Sequence, residues 1–112
     1  MLIVHRLSLQ LVSLVHRDVM PQARVNDPEL ADQLGRAVRS TPLNVAEGSG
    51  YGRSRRQKHH FRVALGSGRE VFACLELLVA TAAVSADSAR ESRALSDRVN
   101  KMLYGLTAKA AS

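Results

Sequence analysis

The stretch FRVALGSGREVFACLELLVATA, residues 61–82, decides the fold. Its apolar and small residues Phe61, Leu65, Gly68, Phe72, Leu75, Val79 and Ala82 recur at intervals that alternate four and three. That spacing places all seven on one stripe of a helix, the kind of seam by which helices interlock in a bundle. A half-buried strand would need apolar residues at every second position instead. Gly66-Ser67-Gly68 interrupts the stripe, at a cost of about 1 kcal/mol per glycine against alanine. The expected compensation is a helix–helix approach too close for a side chain.

Three further helical segments surround this one. Ser54 with Gln57 fits a capping box that opens the helix, and Gly48, Gly50 and Gly52 supply the turn before it. Upstream, Asp27-Pro28-Glu29 reads as an N-cap acid, a proline at the first helical position and an acid at the positive end of the dipole. The seam of that helix is Leu30, Leu34, Val38 and Val45, with Pro42 inside it as an expected kink. The first segment carries Ile3, Leu7, Leu11, Leu14 and Val15 on its apolar face and should end near Met20, because Pro21 cannot continue the ladder. Ser88 with Glu91 offers a second capping box, opening a last helix with Leu95, Val99, Met102 and Leu106 inward. Short connections make neighbouring helices antiparallel. The expected fold is all-α, an antiparallel up-down four-helix bundle formed as one domain by residues 1–112.

Composition agrees. Aromatic residues are 4% of the chain and tryptophan is absent, so the core must be assembled from Leu, Val and Ala, which suits interdigitating helices. Cys74 is the only cysteine, which excludes an internal disulfide and points to a cytoplasmic protein. The apolar N-terminus is interrupted by His5 and Arg6 and shows no small-residue cleavage site. It therefore reads as a core helix and not as a secretion signal. No apolar run reaches the roughly 18 residues of a membrane span.

Charge is the informative feature. Residues 33–69 hold eight basic side chains against Glu47 alone, a net +7, whereas the rest of the chain holds eight against nine. The whole +6 excess of the protein sits in its middle third, which predicts attraction to polyanions. Arg53, Arg55, Arg56 and Lys58 occupy the start of the third helix, followed by Arg62 with no acid between. Cations there oppose the helix dipole, by about 0.3–1 kcal/mol each. A helix built for stability alone would carry acids in that turn. Free N–H groups beside an arginine cluster make a phosphate site, with Arg36, Arg39 and Arg69 nearby and Tyr51 and Phe61 flanking it as stacking candidates, although Phe61 fits the core better. Against this stands the plain alternative of a solvated basic face.

Catalytic chemistry is harder to find. The four histidines form no HExxH and no i, i+4 pair, and adjacent His59 and His60 point to different sides of a helix. Cys74 lies within the third seam, as a small buried hydrophobe. The glycines of GSGYG, residues 48–52, lack the GK[ST] of a P-loop. Glu47 and Glu70 lie on different helices, and nothing in their spacing brings them together. No catalytic residue, metal or cofactor is expected.

Three blocks of sequence have a family resemblance. RSTPLNVAEG (residues 39–48), FRVALGS (61–67) followed by Glu70, and KMLYGL (101–106) resemble stretches of the 23S rRNA intervening-sequence proteins, also known simply as four-helix bundle proteins. The resemblance implies an antiparallel four-helix bundle, assembled as a homopentamer and without catalytic activity. Pro42, Asn44, Glu47, Gly48, Gly66, Ser67 and Glu70 match its structural motif. Some relatives are accessory proteins of retroelements whose basic surface binds RNA and a reverse transcriptase. On this reading Arg39, Arg53, Arg55, Arg56, Lys58, Arg62 and Arg69 contact nucleic acid, RNA before DNA. The competing expectation is a scaffold whose basic face meets an acidic protein. An enzyme and a membrane-surface protein rank below both.

Overall fold

The computed structural model describes residues 2–110 and shows four helices. Helix α1 (residues 3–26) is built from Ile3–Leu14, one wide π turn at Val15–Val19, and Met20–Asn26. Helix α2 is Pro28–Ser49, α3 is Arg55–Ala80 and α4 is Ala86–Ala110. Cross-helix pairs fix the packing. Between α2 and α3, Gln33 reaches Glu70, Ser40 meets Ser67, Asn44 meets His60 and Gly48 meets Gln57. Numbers rise on one helix as they fall on the other, so the two run in opposite directions. Glu76 with Arg93 and Gly68 with Asn100 give the same sense for α3 and α4. Arg17 with Glu91 and Gln22 with Ser88 give it for α1 and α4.

Helix α1 passes the position where Pro21 was expected to end it. A proline ring clashes with the carbonyl four residues back and offers no N–H. The wide turn just before it changes that geometry: Met20 N–H reaches the Val15 carbonyl, five residues back. Proline then stands in the first turn of the continuing segment, where its N–H is not needed. Asp27, at φ −153° and ψ 78°, separates α1 from α2 and caps α2 by accepting from Leu30 N–H at 3.1 Å. Pro42 does not divide α2, which continues unbroken to Ser49.

The remaining ends differ in detail from the sequence reading. Ser54 caps α3 by accepting from Gln57 N–H at 3.1 Å, but the Gln57 side chain donates to the Gly48 carbonyl, at the end of α2. The cap is therefore half a capping box, and its other half ties two helices together. At α4 the cap is Ser85, which accepts from Ser88 N–H, and Ser88 lies inside the helix. Gln22 of α1 selects this register by accepting from Ser85 N–H and donating to Ser88 Oγ. Ala82 is not in the seam. It is exposed, beyond the end of α3, with φ 60°. Ala82 N–H meets the Val79 carbonyl and Ala83 N–H the Leu78 carbonyl, the pattern of a helix stop that usually takes glycine. Replacing Ala82 with glycine should raise stability by about 0.5–1 kcal/mol, because alanine pays for the left-handed backbone. Urea denaturation measures it; an unchanged midpoint would mean that the added freedom of the unfolded chain cancels the relief.

Most seam residues are buried as the periodicity requires, with Leu11, Val15, Leu34, Val38, Val45, Leu75 and Val99 at 0–1% exposure. Ile3 is an exception, since Val4 takes the inward place at the start of α1. The core has two parts. The larger, around Leu34, Val71, Leu75 and Leu78, lies toward the α1–α2 connection. The smaller, around Leu7, Val45, Leu65 and Leu103, lies toward the α2–α3 connection, where the basic residues cluster.

Candidate nucleic-acid interface

At the α2–α3 end, the chain must turn between Ser49 and Arg55. Gly52 adopts φ 61° to do so, and Gly48 lets Phe61 close against α2. A Cβ on Gly48 would lie 2.8 and 2.9 Å from the Phe61 ring. Phe61 is thereby 4% exposed and belongs to the core, unavailable for base stacking. Tyr51 is half-engaged: its ring stacks on His60 at 5.7 Å and 12°, the Arg56 guanidinium sits 5.5 Å over it, and its hydroxyl donates to Glu47.

His60 continues inward. Its Nδ1 lies 3.1 Å from Asn44 Oδ1, while Asn44 Nδ2 donates to both the carbonyl and the hydroxyl of Ser40. With the amide nitrogen committed, Asn44 Oδ1 is the acceptor and His60 Nδ1 carries the hydrogen. Ser67 closes the chain by donating to Ser40 Oγ at 2.8 Å. Asn44 and Ser67 thus pin α2 to α3, through His60 and Ser40, which the sequence reading did not single out for this task. Gly68 is buried against Asn100, as a close approach demands, whereas Gly66 is exposed with open space where a Cβ would be. The compensation expected for both glycines holds for Gly68 only.

Upon this frame sit the cations. Arg53, Arg55, Arg56 and Arg62 are exposed and Lys58 half-buried. Arg55 and Arg62 are seven residues apart, two turns along one stripe of α3. The first turn of α3 contains no acid. The N–H groups of Arg55 and Arg56 there have no partner within the helix. Among the described residues every ion pair lies elsewhere: Arg17 with Asp18 and Glu91, Arg90 with Asp87, Arg93 with Glu76, and Lys101 with Asp97. No cation between Gln33 and Arg69 has a carboxylate partner among the described residues.

Two of the seven predicted contacts stand apart. Arg39 faces a groove between α1 and α2 with Arg24, Arg36 and His16. Arg69 lines a different groove, between α3 and α4, with Asn100, Lys101 and Tyr104. Arg69 lies 14 residues beyond Arg55, or about 21 Å along the helix. Glu47 and Glu70 do not meet, for Glu47 accepts from Tyr51 and Glu70 from Gln33. Cys74 is 3% exposed, and burial pushes its thiol above the ordinary range, so it carries little thiolate. Among the described residues no group of three His, Cys, Asp or Glu side chains could hold a metal, and no helix is long and apolar enough to cross a membrane.

Fold and surface together define a small helical-bundle protein with an unneutralised basic end. The model of the 23S rRNA-intervening sequence protein family matches residues 1–105, and the chain belongs to that family. No curated protein and no solved structure matches it.

Proposed function

We propose that this chain is a non-catalytic RNA-binding protein that holds backbone phosphates at the start of α3. Arg53, Arg55, Arg56, Lys58 and Arg62 form the contact, and Arg39 and Arg69 extend it along two flanks. The observation that carries this reading is the set of cations in a helix's first turn, with no acid to neutralise them. Arginine forks match phosphate oxygens in pairs, and the helix start adds its own N–H groups. A family description that refers to 23S rRNA agrees with RNA as the polyanion. Binding of this kind is driven by counterion release and reads sequence weakly. We further assign the protein a homo-oligomeric state, pentameric as the family resemblance implies, and a role beside a reverse transcriptase as the narrowest form of the function.

The test is binding to labelled structured RNA and to duplex DNA across a salt series, for the wild type and for Arg55→Glu/Arg56→Glu. Affinity should fall steeply with salt, and the double reversal should weaken it on the order of 100-fold and flatten the salt slope by about two. Both substitutions are at exposed positions, and acids in that turn suit the helix dipole, so the melting temperature should not fall. Absence of RNA binding at low salt, or indifference to the reversal, would discard this site. The scaffold reading, with an acidic protein as partner, would then take its place.

A further inference from the structure

The groove between α1 and α2 has a volume of 330 Å³ and is lined on one side by His16 and Arg24 and on the other by Asp32, Gly35, Arg36 and Arg39. Three guanidinium groups face one carboxylate. Asp32 and Arg36 stand four apart on the same helix, where such a pair readily closes, yet none of these four charged residues forms an ion pair among the described residues. A groove that carries two more cations than anions, with no ion pair closed inside it, favours an anion.

The backbone is shaped to the same end. In an ideal α-helix, residues eight apart lie about 80° apart around the axis, so His16 and Arg24 would diverge. The π turn at Val15–Val19 takes up one extra residue between them and brings them back to within about 20°. His16, Met20 and Arg24 consequently share one face. His16 Nδ1 is bonded to the Val12 carbonyl at 2.9 Å, which leaves Nε2 as its free nitrogen. Opposite stands Gly35. A Cβ there would lie 3.4 Å from Arg39 Nη1 and 3.5 Å from Met20 Cε, so the Arg39 guanidinium rests back across the glycine.

We propose that this groove is a phosphate-binding site distinct from the α3 start, in which Arg24, Arg36 and Arg39 grip the oxygens of one phosphate group. Arginine is suited to this because its planar fork meets two oxygens at once. The phosphate belongs either to a nucleic-acid backbone or to a free small ion, and the chemistry of the grip is the same. Only Arg39 is shared with the reading of the α3 start, so either site can fail alone.

The experiment follows the arginine Nε–H signals and the Gly35 amide by NMR while inorganic phosphate is added, against sodium chloride at matched ionic strength. Saturable shifts specific to phosphate are expected at Arg24, Arg36 and Arg39. They should weaken at least tenfold in Arg24→Ala/Arg36→Ala, and persist in Arg55→Glu/Arg56→Glu. Equal shifts with chloride, or undiminished phosphate binding in the groove variant, overturn the proposal. Arg24 and Arg36 are exposed, and an unchanged melting temperature shows that the variant has folded. A second arm measures structured RNA. If the groove variant also flattens the salt slope for RNA by about two, the phosphate is that of the backbone. If RNA binding is unchanged while phosphate binding is lost, the site takes a free ion. A wild type that binds phosphate and no RNA would remove the reading of the α3 start and leave the groove standing.

Discussion

Gly68→Val should lower the stability of the bundle by about 3 kcal/mol, the sum of an overpacked interface and a broken half-buried hydrogen bond. A Cβ on Gly68 would fall on Asn100 Oδ1, 3.2 Å from Asn100 Cγ and 3.7 Å from Leu103 Cδ1. Asn100 cannot simply swing away, because its Nδ2 donates to the Gly68 carbonyl at 3.0 Å. Moving it leaves that amide half-buried without its partner. Valine adds a branch at the point of closest approach. Alanine in the same place should cost less, since about 1 kcal/mol of helix propensity returns with it. Urea denaturation of Gly68→Val, Gly68→Ala and Gly68→Ala/Asn100→Ala measures the series. Removing the asparagine should relieve part of the alanine's cost, a coupling that appears only between residues in contact. If Gly68→Ala proves as stable as the wild type, α3 and α4 do not approach as closely as the bond to Asn100 requires.

Leu75→Ala should cost a comparable 2–5 kcal/mol. Leu75 is fully buried in the larger core cluster among Leu34, Val71 and Leu78. Four helices converge on that cluster, and the surrounding backbone cannot collapse to fill the space of the lost atoms. The control is Leu77→Ala, two residues on and 50% exposed, where the change should stay near 0.5 kcal/mol. For a domain whose total stability is on the order of 10 kcal/mol, the first substitution removes a large share and the second almost none. Thermal denaturation separates them, with a drop of about 10–20 °C expected for Leu75→Ala. Equal midpoints would mean that α3 is rotated from the orientation described.

The two substitutions also mark how far each kind of reading reaches. Leu75 was legible as core from the alternation of fours and threes alone, because burial along a helix follows its period. The cation cluster at Arg53–Arg62 was legible too, since sequence-adjacent charges on a helix start remain adjacent in space. Gly68 was legible only as an anomaly. That it answers to Asn100, 32 residues away, and that Gly66 answers to nothing, depends on which turn of α4 lies opposite.

Two other misreadings have the same origin. Ser88 and Ser85 both precede suitable helical sequence, and local preference does not decide between them. Gln22 of α1 does, by bonding to both. Pro21 reads as a stop because its local penalty is certain, while the π turn that accommodates it, with Val15 and Val19 buried, has no signal in the apolar period.

The composition of the site divides along this line. The sequence by itself determined four amphipathic helices, the residues of their seams, and a positive middle third with one acid in it, because these are matters of period and count. Only the tertiary structure decided that Tyr51 lies on His60, that Arg39 and Arg69 leave the cluster for separate grooves, and that Arg24 and His16 join Arg36 and Arg39. The physical reason is that helical period fixes direction around one axis and says nothing of the neighbour's phase. That phase comes from the glycine contacts and the inter-helix hydrogen bonds, which join parts of the chain far apart in sequence, and from the one extra residue that the π turn takes up within α1.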